Sequence, residues 1–240
     1  MLNGVRVTLA VHFVLPGETT VGVLADLLRR LKILRIDVAC LYLDKGFAGV
    51  EVLDYLTSQG PPALIACPIR GKTGGTRGLC RGRKSYRTTH TCQRQGQPVF
   101  SAELAVCRVF TTAKRTKRMK RRGDWLIFIL IHLTLSPRQA RRQYRRRFGI
   151  ESSYRCAGQV RGWTTSHNPA YRFVLLALSF ILVNVWLHLR WLFTQVPRRG
   201  RRWLDTKRFQ LARLAKFILR ALEQLYGGIH EIEAPAWPRL

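Results

Sequence analysis

Among thirteen acidic residues in this 240-residue chain, two occupy positions from which a carboxylate can do chemistry. Asp26, Glu51, Asp54 and Glu223 fit the exposed faces of helices, and Glu231 and Glu233 lie in the C-terminal tail. Asp44 differs because it closes the apolar run VACLYL at 38–43, the strand end at which open α/β sheets place ligand and catalytic groups. The same position suits a cap for the helix that follows Lys45, Gly46 and Phe47. Glu151 differs in its surroundings, which are cationic: Arg141, Arg142, Arg145, Arg146, Arg147 and Arg155. On an ideal helix, residues at i, i+3 and i+7 share a face, so Tyr144, Arg147 and Glu151 would present a phenol, a guanidinium and a carboxylate in one direction. A surface ion pair with Arg147 or Arg155 is the plainer reading of the same carboxylate.

The elements that must position these groups alternate. Residues 5–14 (VRVTLAVHFV) are rich in β-branched side chains, and Asn3-Gly4 before them is a hairpin signal, so a strand is expected there. Thr19 or Thr20 can cap a helix running to about Leu34, with Val23, Leu24, Leu27, Leu28 and Leu31 as its apolar stripe. A strand at 38–43, a helix over 48–58 ended by Pro61 and Pro62, and a strand at 63–69 follow. This alternation predicts crossovers and a parallel sheet, hence an α/β core. Residues 70–135 change to Gly, Thr, Arg and Lys, with strands expected over 99–109 and 125–135 and a basic loop at 114–122 (KRTKRMKRR) able to meet phosphate. Ser136 followed by Pro137 starts a helix to about Gly158, an apolar helix covers 170–193, and a basic amphipathic helix covers 203–226.

The charge balance narrows the partner. Forty-two Lys and Arg against 13 Asp and Glu leave +29, a surface that attracts polyanions through counterion release. Arginine dominates, and its planar fork suits bidentate phosphate contact, which favours nucleic acid over an anionic membrane. The six cysteines show no Cys-x-x-Cys pair, and His90 with Cys92 lacks a second ligand pair, so reduced thiols in a cytoplasmic protein are expected rather than a zinc site. Residues 173–189 are apolar between Arg172 and Arg190 and barely long enough to span a bilayer, so they are read as a helix buried in a core, with no membrane partner.

The pattern Tyr144-x-x-Arg147-x-x-x-Glu151 within YRRRFGIESSYR resembles the tyrosine-arginine-glutamate signature of bacterial insertion-sequence transposases of the DDE class. LYLDKGF at 41–47 resembles the segment of those proteins that ends in their second catalytic aspartate. The order also matches: an aspartate after a strand, a β-rich insertion, then a glutamate on a helix, over about residues 2–190. The resemblance implies a ribonuclease-H-like mixed sheet flanked by helices, with the first part of the core at 1–69, the insertion at 70–135, the glutamate helix and core helix at 136–193, and a basic helix and tail at 194–240.

It further implies that Asp44 and Glu151 are catalytic and bind two magnesium or manganese ions, hard cations that take oxygen ligands and serve phosphodiester attack. Tyr144, Arg147, Arg155, Arg161 and Lys45 would contact DNA phosphates, on transposon ends and target duplex, with a homodimer assembled on DNA in a nucleoid-associated bacterial or archaeal protein. Two departures stand out. Gly158 occupies the position where the family carries a lysine, with Arg155 and Arg161 the nearest replacements. The family's first aspartate has no counterpart, since Asp26 and Asp37 fall in the wrong elements, so a truncated and inactive reading frame is expected. The competing reading is a basic DNA-binding protein with no chemistry.

Overall fold

The computed structural model describes residues 6–92, 99–115, 118–196, 203–204 and 207–227. The chain divides into a sheet unit, Leu9–Gly149, and a helical unit, Ile150–Leu240 with Met1–Thr8.

In the sheet unit, α1 (Thr20–Ile33) begins where the Thr19 hydroxyl accepts the Gly22 N–H at 3.1 Å, and it buries Leu24 with Val21 and Leu28 beside it. β1 (Leu41–Leu43) and β2 (Ala63–Cys67) run parallel, with Leu41 opposite Ala63. Between them lie a 3₁₀ turn, Lys45–Phe47, and α2 (Val50–Gln59), which buries Val52, Leu53 and Leu56. α2 ends just before Gly60, a position that needs glycine because a side chain there would sit 2.6 Å from the Leu56 backbone. After a short helix α3 (Gly75–Gly78) come β3 (Tyr86–Cys92), β4 (Phe100–Arg115) and β5 (Arg118–Ile131). All five strands form one sheet in the order β1-β2-β5-β4-β3, with β5 antiparallel to β2.

Period-two alternation divides the buried side chains between the two sheet faces. Ile65, Leu104, Val106, Ile127 and Ile129 meet α1 and α2, whereas Leu64, Ala105, Cys107, Phe128 and Leu130 meet Ala140 and Tyr144 of α4 (Pro137–Tyr144). Ser136 caps α4 in a reciprocal box: its hydroxyl accepts the Gln139 N–H at 3.3 Å and the Gln139 carbonyl Oε1 accepts the Ser136 N–H at 2.9 Å.

The helical unit holds nearly all of α5 (Gly149–Val160), then α6 (Pro169–Phe193), a two-stranded ribbon of β6 (Gln195–Val196) and β7 (Trp203–Leu204), and α7 (Leu211–Tyr226). Asn168 caps α6 by accepting the Ala170 and Tyr171 N–H groups. Tyr154 of α5 meets Phe180 edge-on at 5.2 Å, and the Trp186 indole donates to the Phe209 carbonyl at 3.0 Å just before α7.

Several expectations are corrected. Residues 6–15 join no strand: their alternation is partial, and strand preference is expressed only against a cross-strand partner. The Asn3-Gly4 hairpin signal lies outside the described residues. The strand expected at 38–43 is formed only at Leu41–Leu43, and the sheet is mixed, since β5 returns antiparallel beside β2. The basic run is not wholly a loop; β4 extends to Arg115 and β5 starts at Arg118, with 116–117 outside the described residues. The helix expected over 136–158 is interrupted by a 3₁₀ turn at Arg145–Phe148, where four consecutive bulky side chains precede Gly149. The last helix starts at Leu211, eight residues later than expected. Residues 170–193 are not a buried core helix: only 22% of the most apolar window of α6 is buried, chiefly Ser179, Phe180, Val183 and Trp186. Apolar composition all round fixed the helix but not which side would be covered.

Candidate active site

Asp44 stands where β1 ends, at the C-terminal edge of the parallel pair. Its Oδ1 accepts the Lys45 N–H at 2.8 Å, capping the 3₁₀ turn, so the plainer capping role is real. Its Oδ2 receives the Arg147 Nη2 at 2.9 Å. Asp44 is about half exposed (47%) and Arg147 is 21% exposed, which makes the pair a partly solvated, charge-assisted contact.

The turn that brings Arg147 there follows from its geometry. A 3₁₀ turn has three residues per turn, so side chains three apart eclipse. Tyr144 at the end of α4 and Arg147 in the Arg145–Phe148 turn therefore point to one side, toward β1. The Tyr144 hydroxyl donates to the Leu43 carbonyl at 3.1 Å, and its ring lies 4.9 Å from that of Phe128. The exposed Arg146 reaches the Tyr42 hydroxyl at 3.5 Å. The LYLD and YRRR segments thus converge within the sheet unit, residue by residue: Tyr42 with Arg146, Leu43 with Tyr144, Asp44 with Arg147. Burial pushes the Tyr42 phenol above its ordinary value, so it stays a neutral donor and acceptor.

Other residues expected in the site distribute as follows. Lys45 is exposed and lines a cavity of about 560 Å³ together with Gly49, Cys67, Arg70 and Thr76. Glu151 is exposed in the first turn of α5, and Arg155 and Arg161 are exposed farther along, all three in the helical unit. A 3₁₀ turn at Arg145–Phe148 separates α4, which ends at Tyr144, from α5, which begins at Gly149 and carries Glu151. Tyr144 is only 9% exposed, and its hydroxyl is directed at a backbone carbonyl.

Asp44 supplies the hard oxygen that a magnesium-type cation takes, but in its present contacts a guanidinium occupies one carboxylate oxygen and a backbone N–H the other. Among the described residues no group of three or more His, Cys, Asp or Glu side chains could hold a metal ion. The donor chemistry of the Asp44 carboxylate fits such a cation.

Sequence reasoning missed a second charged cluster. His12 is held between two carboxylates, with Nε2 3.0 Å from Glu18 and Nδ1 3.0 Å from Asp26. The hydrogen bond to Glu18, with that to Asp26, raises the imidazole above its ordinary value. Asp26 is pulled down to about 2 by its bonds to Arg29, His12 and Arg30, and Glu18 is lowered by the Leu15 N–H and His12. No spacing in the sequence announces this clasp, because His12 lies in a segment without regular structure. Tyr42 and Arg146 were also missed, though the alternation of LYL does place Tyr42 on the face opposite Leu41 and Leu43.

The chain matches no family model and no curated protein sequence.

Proposed function

We propose that this chain carries a ribonuclease-H-like catalytic region of a DDE-class insertion-sequence transposase, acting on double-stranded DNA. The observation that supports this reading is the meeting of its two signature segments, 101 residues apart, through Tyr144 on the Leu43 carbonyl, with Arg147 on Asp44 beside it. Chance resemblance of two short motifs gives no reason for them to adjoin in space. Asp44 and Glu151 are the carboxylates to which the resemblance assigns magnesium or manganese; such ions, when bound, activate the attacking hydroxyl and stabilise the leaving oxygen of a phosphodiester. Arg147 holds Asp44 in its rotamer and offers a guanidinium for a nearby phosphate, and Tyr144 sets the position of Arg147 against β1. Lys45, Arg155 and Arg161 add phosphate contacts, and the +29 charge suits a nucleoid-associated protein in the cytoplasm that works as a pair on DNA. The matched motifs contribute two carboxylates, so cleavage by this polypeptide alone is expected to be impaired.

The decisive measurement is a magnesium titration followed by NMR at Asp44 and Glu151, alongside duplex binding at several salt concentrations. The proposal expects both carboxylates to respond to the ion and Asp44→Asn to abolish the response. A second reading, a basic DNA-binding protein without chemistry, is favoured by the engagement of both Asp44 oxygens within the protein. Salt-dependent duplex binding with no metal response at either carboxylate would establish that second reading and end the first.

A further inference from the structure

α6 is apolar nearly all round, a composition that normally belongs to a helix covered on every side. Among the described residues one side is covered: Ser179, Phe180, Val183 and Trp186 are buried, and Asn184 pairs with the Thr8 backbone, accepting its N–H at 2.9 Å and donating to its carbonyl at 2.6 Å. On the opposite side Tyr171, Val174, Leu178, Ile181, Val185 and Leu192 are each between 43% and 59% exposed. Their spacing alternates three and four residues, and the one position that the series skips is filled by the exposed His188. A stripe repeating every seven residues over three heptads has the spacing of a coiled-coil seam, in which a supercoiled partner helix stays in register with a 3.5-residue period.

We propose that this stripe pairs with the same stripe on a second copy of the chain, as an antiparallel two-helix seam. Seven side chains about half exposed present on the order of 600 Å² per helix, so two copies bury roughly 1,200 Å², the lower bound of a specific interface. Antiparallel pairing sets Tyr171 opposite His188, Val174 opposite Val185 and Leu178 opposite Ile181, layer by layer. Parallel pairing would instead set His188 against itself. A bilayer is the poorer occupant: the 17 residues between Arg172 and Arg190 rise about 25 Å, short of a hydrocarbon core of roughly 30 Å, and one face is already taken by the chain. The pairing rests on the spacing in α6 and needs neither DNA nor the transposase reading.

The test is sedimentation velocity on the full, nuclease-treated chain without detergent. The expected mass is that of a dimer. Leu178→Asp combined with Ile181→Asp, both at exposed positions, should weaken association at least tenfold with an unchanged far-ultraviolet circular dichroism spectrum, while Leu222→Asp, exposed on α7, should leave the dimer intact. Mixing Val174→Cys with Val185→Cys protein should give disulfides between positions 174 and 185, mapped by mass spectrometry. A monomeric wild-type chain, a dimer indifferent to the seam substitutions, or flotation of the chain with phosphatidylcholine vesicles would each overturn the proposal, and crosslinking of position 174 only to itself would overturn the antiparallel arrangement.

Discussion

The two units bury apolar surface in different ways. In the sheet unit the buried hydrophobic residues come from two stretches, Leu24 to Ile65 and Ala102 to Tyr144, and α1 and α2 pack on one face of the sheet while α4 packs on the other. In the helical unit a longer and more apolar element, α6, is covered on one side by the described residues. Hydrophobic content therefore does not predict burial; what decides it is whether the topology supplies a second layer. In the sheet unit Asp44 is also held by contacts from a segment about a hundred residues away.

The largest expected effect tests this contrast directly. Leu53→Ala or Ile65→Ala, both fully buried, should cost about 2–5 kcal/mol in urea denaturation, whereas Phe217→Ala on α7, 70% exposed, should stay within about 0.5 kcal/mol. Equal losses would erase the distinction between the units. Next, Tyr144→Phe keeps the ring against Phe128 but removes the hydrogen bond to Leu43, with an expected cost of about 1 kcal/mol in the same measurement. A third substitution separates stability from chemistry. Arg147→Gln should change stability by less than about 1 kcal/mol, as partly solvated ion pairs do, yet should tighten magnesium binding at Asp44 by removing the competing cation. Weaker magnesium binding in that variant would argue that the guanidinium organises the carboxylate rather than competing for it.

The smallest effect is a pH dependence. His12 has a folded pKa above its ordinary value of 6.5, so the stabilisation from its protonated ring is complete below about that pH and is lost as pH rises through the raised folded value. Asp26, lowered to about 2, and Glu18 contribute in the opposite sense, losing their share only as pH falls through their depressed values. The clasp is therefore strongest between those limits. A His12→Gln chain should lose the alkaline part of this dependence, read as the pH profile of thermal unfolding; an unchanged profile would mean that the clasp contributes nothing to folding.

Much of the sheet unit was legible in the sequence because its signals are local. The Thr19 cap, the Ser136 cap with Pro137, the break at Pro61 and Pro62, and the apolar run of β2 each name an element from a few adjacent residues. Asp44 at a strand end and the Tyr144-x-x-Arg147 pair were equally visible as types and spacings. What the sequence could not carry was non-local: that residues 6–15 would find no strand to pair with, that β5 would return beside β2, and that a 3₁₀ turn would interrupt the helix at Arg145–Phe148. The exposed stripe of α6 was hidden for a related reason. Its apolar residues read as core until the covering side is known, and only then does the remaining set show its seven-residue period.

The lock between Tyr144 and Leu43 also has a consequence for biosynthesis. Strand β1 leaves the ribosome 101 residues ahead of the hydroxyl that closes its last carbonyl, a wait of about 5–20 s at ordinary elongation rates. Throughout that interval Asp44 lacks its Arg147 partner, and the emerging polypeptide must keep its first helices and strand edge from associating with neighbouring chains before the arginine-rich turn arrives.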